Sequence, residues 1–255
     1  MSLTITPLAG IPFVTPGMDI VEIILSGLKI SHIQLQDNDI VAIAQKIVSK
    51  AEGRQVNLAS VVPSERASLL ANEIEKDPRL VELILRESRE VIRTRPGTII
   101  VEHKLGFICA NAGIDHSNVS GEGNATDDMV LLLPENPDLS ASKIRESLEQ
   151  QTGVKLGVLI NDSHGRAWRM GTVGSAIGLS GIPGVLDERG WKDLTGYTLR
   201  ITVVGIADEI AAAASLQMGQ AAEGTPIVHI RGFPYPLRNG NLSELLRPKD
   251  QDMFR

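Results

Sequence analysis

Two aspartates leave apolar runs in this chain. Asp162 follows Val158-Leu159-Ile160 in "GVLINDSHGRAWRMG", and Asp115 follows "CANAGI". An acid at the end of a buried strand is costly unless it is solvated, capped or bound to a cation. Two such acids meeting at one end of a sheet would make a hard, oxygen-rich site for Mg2+ or Mn2+, to which Ser163 could add a hydroxyl. From spacing alone, each aspartate can equally cap a turn. Arg166 and Arg169 supply planar forks that suit carboxylate or phosphate, or else form a pair of solvated guanidiniums. Lys46, Lys50 and Arg54 follow another apolar run, and their spacing lets some of them face a common cleft, although lysines are common on surfaces. His116 adjoins Asp115 and His164 lies two residues past Asp162; hydrogen-bonding roles suit both better than direct ligation. Gln220, in "MGQAAEGTP", sits at a glycine-rich helix exit that either caps the helix or offers backbone groups to a ligand.

Other chemistries lack their residues. There is no G-x-x-x-x-G-K-[ST] phosphate loop, no G-x-G-x-x-G after a strand, no H-E-x-x-H and no Cys/His cluster. Ser163 beside His164 is no triad signal, because neighbours on a strand point to opposite faces. A formal net charge of -6 argues against non-specific nucleic-acid binding. The single cysteine, Cys109 in "GFICANAG", permits no intrachain disulfide; it reads as a core residue in a protein of a reducing cytoplasm. The start, "MSLTITPLAGIPFV", lacks the pattern of a signal peptide. No apolar run approaches the roughly 20 residues of a membrane span.

The elements that must position these groups follow from periodicity. "LTITPLAGIPFV" is a strand that breaks at Gly10 and Pro12, and "MDIVEIILSGLK" has helical spacing. "DIVAIAQKIVSKAEGR" begins as a buried strand and is expected to end in a polar loop holding Lys46, Ser49, Lys50 and Arg54. Ser64 caps a helix running to Ile74, and Asp77-Pro78 opens another, "DPRLVELILRESREV". "GTIIVEH", "GFICANAG" and "MVLLLP" read as strands, separated by the polar loop "DHSNVSGEGNATDD". "PDLSASKIRESLEQQTG" is a helix closed by Gly153, and "VKLGVLI" is a strand that stops at Asn161-Asp162. "LRITVVG" and "PIVHIRG" are strands flanking the alanine-rich helix "IADEIAAAASLQMGQAAEG"; the tail from Arg238 is irregular. Helices and strands mix without a strict βαβ rhythm, which predicts an α+β or irregular α/β architecture. With no clean boundary, residues 1–255 read as one catalytic unit or two interleaved subdomains.

In this order, "GIPFV", "SKAEGR" at 49–54, "NAGIDHSN" at 111–118, "NDSHGRAWRMG" at 161–171, "GSAIGLSG" at 174–181 and "ADEIAAAASLQMGQAAEGTP" at 207–226 together resemble the coenzyme F-420:L-glutamate ligase family. The resemblance covers about residues 5–235. It implies the family's own α+β fold, mixed sheets with helices, and a GTP-dependent gamma-glutamyl ligase acting on the deazaflavin coenzyme precursor through an acyl phosphate. It further implies a homodimer with GTP and two divalent ions, Mg2+ or Mn2+, near the dimer interface; K+ is a further candidate. Carried over by position, Asp115, Asp162, Ser163 and Gln220 are the expected metal ligands. Gly10, Ile11, Pro12, Gln45, Lys46, Lys50, Asn118 and the run Met218, Gly219, Gln220, Ala221, Ala222, Glu223, Gly224 and Thr225 are the expected nucleotide contacts. Asp115, Asp162 and Lys50 would then serve the chemistry, with Arg166 and Arg169 suggested for the acidic substrates. Two alternatives stay open: another metal-dependent glutamyl ligase with a different acceptor, and a nucleotide-binding regulatory protein without turnover.

Overall fold

A computed structural model describes residues 2–119 and 128–253. In chain order the strands and helices are β1 (Thr4–Pro7), α1 (Ile20–Ile30), β2 (Ile40–Ala44), α2 (Gln45–Ala51), β3 (Gln55–Asn57), α3 (Glu65–Ile74), α4 (Pro78–Arg86), β4 (Ser88–Arg95), β5 (Thr98–His103), β6 (Ile108–Ala110), β7 (Met129–Leu131), α5 (Pro137–Thr152), β8 (Gly157–Arg166), β9 (Arg169–Ser180), β10 (Leu186–Asp187), β11 (Val203–Val204), α6 (Ile206–Met218) and β12 (Ile227–Arg231). The fold is α+β. A mixed sheet, β1-β12-β2-β8-β9, forms the centre, and smaller sheets β4-β5-β6, β3-β7 and β10-β11 surround it.

β2 and β8 pair in parallel, Ile40 with Gly157 through Ala44 with Asn161; the other central pairings are antiparallel. Both strands are buried on two faces, which is why they read as continuous apolar runs. Val41, Ile43, Val158 and Ile160 enter one apolar cluster with residues of α1, α3, α4 and α5. Ile40, Ala42 and Leu159 enter a second cluster, with Ile206, Ile210, Ala211 and Ala214 of α6. Helix starts are capped as their sequences require: Asp19 for α1, Ser64 for α3, Asp77 for α4 and Asn136 for α5.

Several sequence expectations are corrected. Lys46, Ser49 and Lys50 lie on a helix rather than in a loop, because β2 passes directly into α2 and buries Ile47 and Val48. The helix opened at Pro78 stops at Arg86. The β-prone stretch Ser88–Arg95 then pairs as a hairpin with β5. β8 does not stop at Asp162 but continues to Arg166 and returns as β9, a strand the glycines had hidden. Those glycines serve close packing: a Cβ at Gly174 would lie 2.4 Å from the Ala211 carbonyl oxygen of α6, and one at Gly178 would lie 2.5 Å from Pro137 of α5. "LRITVVG" contributes only the short β11, and α6 ends before Gly219 instead of at Gly224. Cys109 is buried and its thiol is pushed up to about 12 by that burial, as a core residue requires. Most of the polar loop read at 115–128, residues 120–127, lies outside the described residues.

Candidate active site

The parallel pairing of β2 and β8 brings Ala44 level with Asn161. The first residues of α2 and the polar half of β8 therefore share one end of the central sheet. Gln45 is buried beneath this end; its Oε1 accepts from Ser49 Oγ at 2.9 Å, one helical turn on, and its Nε2 donates to Asp115 Oδ2 at 2.6 Å. Lys46 Nζ reaches Asp115 Oδ1 at 3.4 Å and donates to Ser117 Oγ at 2.9 Å. The Asp115 backbone is fixed by reciprocal bonds to Leu131, N to O at 3.0 Å and O from N at 2.9 Å. Burial, opposed by Lys46 and reinforced by the charge of Asp162, pushes the Asp115 carboxyl up to about 6.

Strand alternation sorts the residues of β8. Val158 and Ile160 face the larger cluster, and Asp162 and His164 continue that face. The His164 Nε2–H donates to Asp162 Oδ2 at 2.9 Å, and the His164 ring lies 5.0 Å from that of Phe107. Leu159 faces α6, and Asn161 and Ser163 continue that side. Asn161 is buried; its Nδ2 donates to Met218 Sδ at 3.4 Å, while its Oδ1 has no partner among the described residues. Ser163 Oγ donates to Gln220 Oε1 at 2.9 Å. The segment that follows α6 is knitted by Thr225 Oγ1 to the Gln217 carbonyl at 2.8 Å and by Ala221 N to Glu223 Oε2 at 2.8 Å. Asn118 Nδ2 donates to the Ala221 carbonyl at 3.1 Å and so ties this segment to the one carrying Asp115.

Most expected residues thus converge. Gln45, Lys46, Asp115 and Asn118 form one connected set, and Ser163 with Gln220 and the exposed Ala221, Ala222 and Glu223 form the opposite wall. Gly10, Ile11 and Pro12 follow β1 at the same end of the sheet, where Leu8 N bonds to the Ile227 carbonyl at 2.9 Å. Gly224 and Thr225 lead directly into β12 at that edge. Lys50 is 7% exposed and has no ion-pair partner among the described residues; burial, then the charge of Lys46, lowers its pKa. Arg166 and Arg169 face each other across the tip of the β8–β9 hairpin, exposed to solvent. Asp162 and Ser163, adjacent in sequence, project to opposite faces.

Sequence reasoning missed the buried acceptor of Asn161, the Ser117 contact of Lys46 and the wall that Phe107 makes for His164. Reading β8 through to Arg166 would have put His164 beside Asp162, since i and i+2 share a face. Nothing local announces Phe107, which arrives from the turn between β5 and β6.

Among the described residues no three of His, Cys, Asp and Glu gather as a metal centre. The donors present are two electrostatically coupled carboxylates, a hydroxyl and an amide oxygen. Because Asp162 and Ser163 face opposite sides of β8, these make two partial all-oxygen sets, the carboxylates on one side and Ser163 with Gln220 on the other, each of which fits a hard cation that takes its remaining ligands from phosphate and water.

An α+β chain that sets Lys46 against one of two neighbouring carboxylates at the end of a mixed sheet, with the buried Lys50 one turn further along the same helix, has the layout of an enzyme for anionic substrates. The family model described as F420-0:Gamma-glutamyl ligase matches residues 10–232. Coenzyme F420:L-glutamate ligase of Methanothermobacter thermautotrophicus is 46% identical, covering 100% of both chains. The Methanococcus maripaludis protein of the same name is 47% identical over 89% of this chain and 88% of its own. That of Archaeoglobus fulgidus is 40% identical over 100% and 97%. The chain belongs to the F420-0:gamma-glutamyl ligase family, as its motifs had indicated.

Proposed function

We propose that this protein joins the amine of L-glutamate to a carboxylate of the deazaflavin F420 precursor, with GTP as the energy source, and that gamma linkage governs the bond to glutamate. The observation that carries the reading is the end-to-end similarity to coenzyme F420:L-glutamate ligases, 46% identical over the full length of both chains in one case. In the reaction, an oxygen of the acceptor carboxylate bonds to the γ-phosphorus and the bond to GDP breaks. The resulting acyl phosphate is attacked at carbon by the amine; phosphate leaves and the amine gives up its proton.

Phosphoryl transfer asks a protein mainly for alignment and charge neutralisation. Lys46 and Lys50 neutralise the phosphates, and the burial of Lys50 without an ion-pair partner among the described residues supports that role. Asp115, Asp162, Ser163 and Gln220 would hold Mg2+ or Mn2+, which would supply positive charge to offset that of the phosphates. Gly10–Pro12, Gln45, Asn118 and the 218–225 segment enclose the nucleotide, and the Asn118–Ala221 bond draws two of these walls together. Arg166 and Arg169, on their exposed hairpin, orient the acidic substrates. A cytoplasmic homodimer completes the proposal; no helix among the described residues is long and apolar enough to cross a membrane.

The test incubates the protein with GTP, MnCl2, L-glutamate and F420-0 and weighs the products. A glutamyl gain on the deazaflavin, matched by GDP, is expected. Absence of that gain with active substrate overturns the assignment, and an equal rate with ATP overturns the nucleotide preference.

A further inference from the structure

The charge of Asp162 acts against that of Asp115, and each carboxylate is tethered by other side chains. Both oxygens of Asp115 are engaged, Oδ2 by Gln45 at 2.6 Å and Oδ1 by Lys46 at 3.4 Å. Asp162 is held differently. His164 donates its Nε2–H to Oδ2 at 2.9 Å, with the two side chains 12% and 11% exposed, and Oδ1 has no partner among the described residues. The imidazole is itself held in place. Phe107 lies against it with ring centroids 5.0 Å apart, and Phe107 stacks on His103 at 5.2 Å with the ring planes 8° apart. His103 Nδ1 accepts from Leu105 N at 3.0 Å. That wall of two rings leaves His164 little freedom to turn away from Asp162.

We propose that His164 is a specificity-determining positioning residue: by occupying Oδ2 it leaves Asp162 a single free oxygen and so biases the site toward Mg2+ and Mn2+ over Ca2+. Small octahedral cations accept single carboxylate oxygens and complete their shells with phosphate and water, whereas Ca2+ favours more ligands and paired carboxylate oxygens. A carboxylate whose second oxygen is already hydrogen-bonded serves the first kind better. The tether also keeps Asp162 facing Asp115 against their repulsion, a task hydrogen bonds to ligating groups commonly perform. This inference rests on the metal reading proposed above.

The experiment measures binding of Mn2+ and of Ca2+ to the full chain, by Mn2+ electron paramagnetic resonance with Ca2+ as competitor, in the presence of GDP. The natural protein is expected to prefer Mn2+. His164→Phe keeps a ring against Phe107 and removes the donor; it is expected to lower the Mn2+/Ca2+ affinity ratio about tenfold, the scale on which such outer hydrogen bonds act. His164→Gln, whose amide nitrogen reaches the Nε2 position, is expected to restore most of the ratio. Phe107→Leu should shift it the same way by less. In turnover, His164→Phe should depress kcat more than KM for glutamate. If His164→Phe does not fold, His164→Asn, whose amide stops short at the Nδ1 position, takes its place. An unchanged ratio in the folded donor-less variant, or failure of the glutamine to rescue, overturns the inference alone. A natural protein that binds neither cation overturns the metal reading, and this inference with it.

Discussion

Gln45 and Asp115 lie 70 positions apart, and the buried amide of one donates to the carboxylate of the other at 2.6 Å. That bond couples the helix that follows β2 to the loop beside β7. It also holds an acid where burial and a second acid disfavour its charge.

The raised pKa of Asp115 has a consequence for stability. A carboxyl titrating near 6 in the folded chain and at its ordinary 3.8 when unfolded contributes stability that is complete below about 4 and lost as pH rises through 6. Asp115→Asn removes that loss while Gln45 keeps an acceptor. Without metal or nucleotide, the variant should match the natural protein near pH 4 and be more stable at pH 7 by about 3 kcal/mol. Thermal melts across that range check it; equal melting temperatures at pH 7 would show that Asp115 carries no such strain.

Asp39 should behave in the opposite sense. It is buried at the far end of β2, where it accepts from His229 Nε2 at 2.8 Å, from Arg231 at 2.7 and 2.9 Å, and from Gln36 N at 2.8 Å. Burial works to raise its pKa, but these partners prevail and hold it below the usual range. Its contribution is therefore present above its unfolded pKa and lost as pH falls through the lower folded value. Asp39→Ala leaves Arg231 and His229 without their acceptor and should cost about 3–5 kcal/mol at neutral pH. A urea titration measures this, and a loss under 1 kcal/mol would contradict it.

Lys50 separates binding from stability. A nearly buried cation whose described contact is the face of Phe13, 6.0 Å from the ring centroid, gains less there than burial of its charge costs in the empty protein. Lys50→Met should leave the melting temperature unchanged or higher and weaken GTP binding at least tenfold, about 1.4 kcal/mol. Calorimetric titration with a non-hydrolysable GTP analogue reads the second effect; undiminished affinity would remove Lys50 from the nucleotide site.

The glycines of β9 and the hairpin differ in what they permit. Gly178→Ala would drive a Cβ to within 2.5 Å of Pro137, and Gly174→Ala to 2.4 Å of the Ala211 carbonyl. Each should cost about 2–3 kcal/mol, since helix backbone has to move. Gly165→Ala meets nothing within 4 Å and should change stability by less than about 0.5 kcal/mol. Denaturant midpoints for the three variants decide the matter, and equal losses would show that packing is not what the glycines of β9 provide.

Local chemistry was sufficient for much of this protein. Ser64 and Asp77-Pro78 marked helix starts, unbroken apolar runs marked β2 and the start of β8 as buried, and a collinear set of motifs marked the family, because each depends on neighbours within a few residues. Where two local tendencies competed, sequence alone chose wrongly: α2 was taken for a loop, β4 for the end of a helix, and β9 for a train of glycines. Helix contacts from α5 and α6, far away in the chain, decide the last of these. The site itself is a tertiary product. Only the parallel register of β2 with β8 brings Gln45 and Lys46 level with Asp162, and only strand alternation sends Asp162 toward Asp115 and Ser163 toward Gln220. The charge of Asp162 then reaches Asp115 through low-dielectric surroundings that no stretch of sequence contains.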